Sequence, residues 1–374
     1  MKNIRQANIS IHRDSWVEIN LESLAHNIRE LRKNISHNKK VLAVVKADAY
    51  GHGAVMLAPT ILASGCDMLG VASIDEGLDL RSAKISSPIL VLGAIPVWAI
   101  ESAIYADISF AIFSEEQLSA CKQLFVRTGI KPKVHIKLDT GMNRIGVKPF
   151  DAVEFIKRVQ NSDFVDLKGI FTHFYEAENL ENAQKQIDIW TSIISEIDTN
   201  GLILHAQNTT GSLCYEVPYT NMVRLGIGLY GLQPDYPIKE FIKPDLKPIL
   251  SLKGRIVHIH EIERGEGVSY SHTFTSAKPT RIATIPIGYA DGVSRALSNK
   301  ITAILNGKKI TQVGNITMDQ MMFDIGDNEA KIGEIVTLIG ENSMSIDDWA
   351  KILNTINYEL TCRLKVRLPR VYTR

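Results

Sequence analysis

Short apolar runs, most of them rich in β-branched residues, recur along the first two-thirds of the chain with helix-periodic segments between them. They are VLAVVK (41–46), MLGVAS (68–73), PILVLG (88–93), ISFAIF (108–113), KVHIKLD (133–139), LKGIFTH (167–173), LILHAQN (202–208) and NMVRLG (221–226). Continuous apolar runs, unlike alternating ones, are expected of strands buried on both faces. Strands alternating with helices predict a parallel sheet, and eight of them predict a closed (β/α)8 TIM barrel. Two helices are well marked. Leu21 to Asn34 places Leu21, Leu24, Ile28 and Leu31 at helical spacing, and Ser114, Glu116 and Gln117 open a helix over 114–127 with a capping signature.

The pattern changes after Tyr230. Four prolines in the 17 residues LQPDYPIKEFIKPDLKP read as a linker. Beyond it come short alternating strands with glycine turns: 251–263, 281–287, 301–305, 320–325 and 334–339. One short helix, 347–353, follows an N-cap at Ser345 with Asp348 three residues on. The expected organisation is an N-terminal extension over 1–14, an α/β barrel over 15–240 and a C-terminal β-rich domain over 241–374. The strand Ser15–Asn20 (SWVEIN) is a candidate to join the β domain.

Composition narrows the function classes. With 42 basic against 41 acidic residues the net charge is +1, which gives no electrostatic reason to expect a nucleic-acid partner. The cysteines at 66, 121, 214 and 362 form no CxxC pair, which suits free thiols in a reducing compartment and argues against a zinc site. The most apolar stretch, 88–100, is too short to span a bilayer and contains Pro96, and the polar N-terminus lacks a signal-peptide core. No membrane segment is expected, and a soluble, cytoplasmic location follows.

The candidate chemistry begins at Lys46, where the first barrel run ends. Barrel enzymes build their sites at the C-terminal ends of the strands. A partly desolvated lysine there is disposed to form a Schiff base, although from this stretch alone the favoured reading is a strand-end lysine reaching for water. Lys137 with Asp139, His173, Asn208 and Arg224 end other strands of the same barrel, and five such polar ends on one rim are better explained by a site. Gly226-Ile227-Gly228 follows the eighth strand, where this fold commonly holds phosphate on backbone N–H groups.

AVVKADAYGHG around Lys46, with GMNRIG, FTHF, VRLGIGLYGL, VSYS, PIGYADG and ITMDQ further on, resembles the bacterial alanine racemase family of pyridoxal 5'-phosphate enzymes. The likeness runs from SWVEIN to RLPRVY. It implies that Lys46 holds the cofactor and is the base on one face of the substrate α-carbon. Tyr270 would be the base on the other face, supplied by the second subunit of a homodimer. Arg224 would face the pyridine nitrogen, with His173 bonded to it. Tyr50, Asn208, Thr209, Gly226, Ile227 and Tyr358 would surround the phosphate, with His205 nearby. Arg144, Met318, Asp319 and Tyr289 would bind or enclose a small amino-acid substrate, and Lys137 matches a lysine often carbamylated. No metal is implied.

Taken singly, His173 is a satisfied core histidine and Tyr270 a packed aromatic, and only their motifs favour chemistry. The chain departs from the family pattern at Thr209 (usually serine), Ser271 (more often glycine), Thr317 (often cysteine) and FYEAEN after His173. These departures bear on substrate choice. The expected activity is interconversion of L- and D-alanine, L- and D-serine, or both, supplying D-amino acids for peptidoglycan. The alternatives are the serine racemase domain of a vancomycin-resistance membrane protein, with this chain as its cytoplasmic part, and a non-enzymatic cofactor carrier.

Overall fold

The computed structural model describes residues 12–234 and 243–374, so the expected boundary between 240 and 241 and most of the 1–14 extension lie outside the described residues. The chain forms two compact units, one of residues 24–49 and 54–247, the other of residues 1–23, 50–53 and 248–374.

The first unit is the barrel. Its strands are Lys40–Val44, Met68–Val71, Ile89–Val91, Ser109–Ile112, Lys133–Lys137, Asp166–Phe171, Ile203–His205 and Met222–Leu225. Each pairs in parallel with the next through Ile203–His205, and Met222–Leu225 returns to pair with Lys40–Val44. Asn221 bridges the remaining seam: its backbone N–H donates to the Leu204 carbonyl at 3.0 Å, and its Oδ1 accepts the Leu204 N–H at 2.9 Å. All eight expected runs are strands.

The barrel interior is filled by side chains that interlock between strands. A Cβ on Gly70 would come within 2.5 Å of the Leu42 side chain, so the missing side chain makes room for Leu42. The outer helices bury single apolar stripes, as Leu24, Ile28 and Leu31 do in Leu21–Lys33. Ser114 caps Glu115–Thr128 by accepting the Gln117 N–H at 3.2 Å.

One element has an unusual backbone. Lys46–Gly51 is a short helix wound left-handed, with φ of 51 to 54° at Ala47, Asp48, Ala49 and Tyr50. Each such residue costs about 1–2 kcal/mol, and runs of them are rare. Local bonds hold the turn. The Glu76 carboxylate accepts the N–H of Ala47 and of Ala72, both at 2.7 Å, and Asp48 Oδ1 accepts the Ala54 N–H at 2.7 Å.

The second unit is built on a nine-stranded sheet. Ser15–Asn20 lies inside it, antiparallel to Leu250–Arg255 and parallel to Arg370–Thr373. The expected run 251–263 is two strands, Leu250–Arg255 and His258–Ile262. Lys308–Val313 and Arg370–Thr373 were not marked by sequence, nor was the helix Asn357–Arg363. The helix Ile346–Leu353 carries the expected Ser345–Asp348 capping box. Among the described residues, no helix is long and apolar enough to cross a membrane.

Candidate active site

In the barrel unit, the organising residue is Arg224. Its guanidinium is buried, and among the described residues both terminal nitrogens are fully committed. One donates to His205 Nδ1 and the His205 carbonyl, each at 2.9 Å. The other donates to the Thr172 and Ala206 carbonyls at 2.7 and 2.9 Å and to His173 Nδ1 at 3.1 Å. Burial pushes the guanidinium down to about 9, so it is still charged at neutral pH. Its Nε–H has no protein acceptor among the described residues, which leaves one donor for a ligand.

An arginine can only donate, so His173 and His205 must accept at Nδ1. When neutral, both then carry their proton on Nε2. Burial, with the positive field of Arg224 next, holds both imidazoles well below the usual histidine value. The charges of Lys137, Arg144 and Lys46 also bear on His173. His173 therefore offers a neutral Nε2–H donor.

Lys137 is buried beside them, its Nζ 2.7 Å from the Leu138 carbonyl and 5.4 Å from the centre of the Phe171 ring. Burial, then the charge of Arg224, pushes its amine down to about 7. Much of it is the neutral nucleophile at physiological pH. Asp139 shapes the GMNRIG loop by accepting the N–H groups of Gly141 and Asn143 and the Lys148 ammonium, the last at 2.7 Å. Burial raises that carboxyl, but those bonds outweigh it and hold it below its ordinary value. Arg144 is exposed on this loop.

Asn208 caps the helix Thr209–Cys214 through the Gly211 N–H. Thr209 Oγ1 accepts the Gly226 N–H at 3.0 Å and, among the described residues, gives its own proton to no acceptor. Gly226 and Ile227 form the turn after the eighth strand. His205, expected near the phosphate, instead spends both ring nitrogens inside the barrel, on Arg224 and on His135 at 3.1 Å. Its ring stacks on Phe171 at 4.8 Å. His135, Phe171 and Glu76 were missed by sequence reasoning. His135 was legible in principle, since it lies two residues before Lys137 and so faces the same side of its strand.

In the sheet unit, Tyr50 packs against Tyr358 with ring centroids 6.0 Å apart, and burial raises its hydroxyl above the usual tyrosine value. Tyr270, Tyr289, Met318 and Asp319 line one open cavity of about 660 Å³. Tyr270 itself is 73% exposed. It sits on a tight turn between Gly267–Val268 and Phe274–Thr275 in which Ser269, Ser271 and His272 have φ of 65, 60 and 40°. The Ser269 hydroxyl donates to the Asn315 carbonyl, and Asn315 Nδ2 donates to the Tyr270 carbonyl, both at 2.7 Å. Ser271 thus adopts, as a serine, a conformation that glycine takes without strain.

The donors on the barrel rim fit a phosphorylated pyridine aldehyde: an amine at Lys46, the Arg224 Nε–H for a ring nitrogen, and the Thr209 hydroxyl beside a glycine turn for a phosphate. Residues 19–234 match the profile of the alanine racemase N-terminal domain, and residues 249–372 that of its C-terminal domain. Alanine racemase 2 of Oceanobacillus iheyensis is 38% identical, covering 97% of this chain and 94% of that protein. The solved alanine racemase of Clostridium difficile 630 superposes with a TM-score of 0.92 at 37% identity, over 97% of each chain. A histidine racemase from Leuconostoc mesenteroides also superposes, with a TM-score of 0.90 at 30% identity, over 98% of this chain and 100% of that one. Both halves of the chain match over nearly their whole length, and the protein belongs to the alanine racemase family.

Proposed function

We propose that this protein is a pyridoxal 5'-phosphate-dependent racemase of alanine, serine or both, working with two bases. The observation that carries the reading is the donor set on the barrel rim, in which the terminal nitrogens of Arg224 are held and its Nε–H has no acceptor among the described residues. Lys46 would hold the cofactor, with Thr209, Gly226, Ile227, Asn208, Tyr50 and Tyr358 around its phosphate. When bound, the cofactor supplies an electron sink that acidifies the substrate α-proton. Lys46 Nζ would move that proton on one face and the partner's Tyr270 on the other. Arg224 would donate to the ring nitrogen and, being unable to take its proton, would keep the sink weak and side reactions few. His173 holds Arg224 in place. Arg144 would bind the substrate carboxylate, and Met318, Asp319 and Tyr289 would close the pocket.

The C-terminal match over 249–372 argues against a carrier built from a barrel alone. The histidine racemase relative indicates that this architecture accommodates more than one side chain, so serine stays beside alanine. A pocket of apolar groups rejects an added hydroxyl only weakly, by roughly 100-fold. The proposed setting is a cytoplasmic homodimer with shared sites, supplying D-amino acids for peptidoglycan. Membership of a vancomycin-resistance serine racemase is the variant of this reading.

Borohydride reduction is expected to fix the cofactor covalently on the peptide containing Lys46, and label recovered on another lysine would remove the assignment. The same preparation, assayed on L-alanine, L-serine and L-histidine, identifies the substrate. Lys137 is proposed to carry a carbamate that orients Arg144, since a buried, largely neutral amine is what carbon dioxide requires. Labelled bicarbonate should give a 13C carbamate resonance in wild type and none in Lys137→Met. A wild-type spectrum without that resonance would show the lysine unmodified.

A further inference from the structure

The outer helix Leu180–Ile194 buries Ala183, Ile187, Trp190, Ile193 and Ile194. Gln186 is buried among them, with 1% of its surface exposed. An apolar side chain would complete that stripe, and a buried amide costs free energy unless its hydrogen bonds are remade. Here they are remade on two loops at the C-terminal ends of the barrel strands.

Gln186 Nε2 donates to Thr140 Oγ1 at 2.9 Å and to the His173 carbonyl at 3.1 Å, and its Oε1 accepts the Tyr175 N–H at 2.9 Å. A backbone N–H can only donate and a carbonyl only accept, which settles the orientation of the amide. The proton order beyond it follows. Thr172 Oγ1 gives its one proton to the Leu138 carbonyl at 3.1 Å, so the 2.8 Å bond between the threonines runs from Thr140 to Thr172. Gln186, Thr140 and Thr172 are all buried, and each donor on their side chains has an acceptor. A buried polar network satisfied in this way is rigid.

Its two arms lead to different parts of the site. The Thr172 carbonyl and His173 Nδ1 both accept from Arg224. Thr140 leads into the GMNRIG loop, which carries Arg144. That loop returns to the barrel at Val147, whose N–H donates to the Lys137 carbonyl and whose carbonyl accepts the Asp139 N–H, both at 2.9 Å. The segment 174–179, where the chain departs from the family pattern, joins the same network. Its Tyr175 is tethered by Gln186, and a Cβ on Gly141 would stand 3.3 Å from the Tyr175 ring. The Tyr215 hydroxyl holds the segment further on, donating to the Ala177 carbonyl at 2.7 Å.

We propose that Gln186 is a positioning residue: it locks the GMNRIG loop, and with it Arg144, to Thr172 and His173, which hold Arg224. On the racemase reading, Arg144 takes the substrate carboxylate, a contact made equally in the ground and transition states. Its displacement therefore raises KM and spares kcat. Arg224 keeps its bonds to His205 and to the Thr172 and Ala206 carbonyls without any help from Gln186.

The test is Gln186→Met, which keeps the length of the side chain and removes all three bonds. In the cofactor-loaded protein, KM for L-alanine, or for L-serine if wild type turns over only that, should rise about tenfold or more, with kcat within about threefold. Thr140→Val cuts the same link from its other end and should act likewise. In the double variant KM should match the larger single effect, because coupled residues are not additive. Gln184→Met, on the exposed face of the same helix, should behave as wild type. Amide hydrogen exchange, which needs no turnover, should quicken in 140–147 and 173–179 together in Gln186→Met. Lowered thermal stability with KM and the exchange of 140–147 unchanged would make Gln186 a packing residue and overturn the proposal, as would KM effects that multiply in the double variant. A wild type inert to both amino acids would instead overturn the racemase reading, and the exchange measurement would still decide the coupling.

Discussion

Arg224 decides the protonation of three histidines, and it touches only two of them. A group that can only donate forces His173 and His205 to accept, and His205 passes the constraint to His135. All three are held below the usual histidine value, first by burial, His135 at about 3. Unfolded histidine titrates near 6.5. Between that value and the folded ones the unfolded chain binds more protons, so the stability tied to the neutral rings is complete above about pH 6.5 and is lost as pH falls. The limiting slope is about 1.4 kcal/mol per pH unit for each histidine, or about 4 for the three. Urea midpoints between about pH 6.5 and 5 should drop steeply, and His135→Gln should remove about a third of the slope. An unchanged slope in that variant would mean the ring is not buried neutral.

At the scale of the element, strain collects beside the two proposed bases. The left-handed turn Ala47–Tyr50 follows Lys46, and three residues of positive φ surround Tyr270. Strain at such positions persists only where the surroundings enforce it. Gly51, at φ 83°, closes the first turn, and a Cβ there would stand 2.3 Å from the Thr361 carbonyl oxygen. Gly51→Ala should therefore lose more than about 2 kcal/mol. Ser271→Gly should do the opposite, since relief of about 1–2 kcal/mol of left-handed strain outweighs glycine's extra unfolded freedom of roughly 0.5–1 kcal/mol. Thermal unfolding measures both, and a stabilised Gly51→Ala or a clearly destabilised Ser271→Gly would refute the account.

At the scale of the whole molecule, the proposed second base is 73% exposed on a single chain. A general base works best where water is excluded, which favours covering Tyr270 with a second subunit. If each site combines one chain's Lys46 with the partner's Tyr270, the inactive variants Lys46→Ala and Tyr270→Phe should regain activity on mixing, because one heterodimer site is intact. Tyr270→Phe alone should lose about 10²–10⁴-fold in turnover. Subunit exchange without recovered activity would rule out the shared site.

The eight barrel strands, the helix caps at Ser114 and Ser345, and Lys46 at a strand end were legible in the sequence, because periodicity and capping are local chemistry. Lys308–Val313 was not, since its polar outer positions blur the strand signal, nor was Arg370–Thr373, whose pairing with Ser15–Asn20 spans almost the entire chain. The handedness of the Ala47–Tyr50 turn also escaped, because bonds from Glu76 enforce it against the residues' own preference. Residues 135, 173, 205 and 224 were each readable as inward-facing or strand-ending. That they join into one hydrogen-bonded chain was decided only by closure of the barrel, since strand register and the seam at Asn221 determine which inward side chains meet.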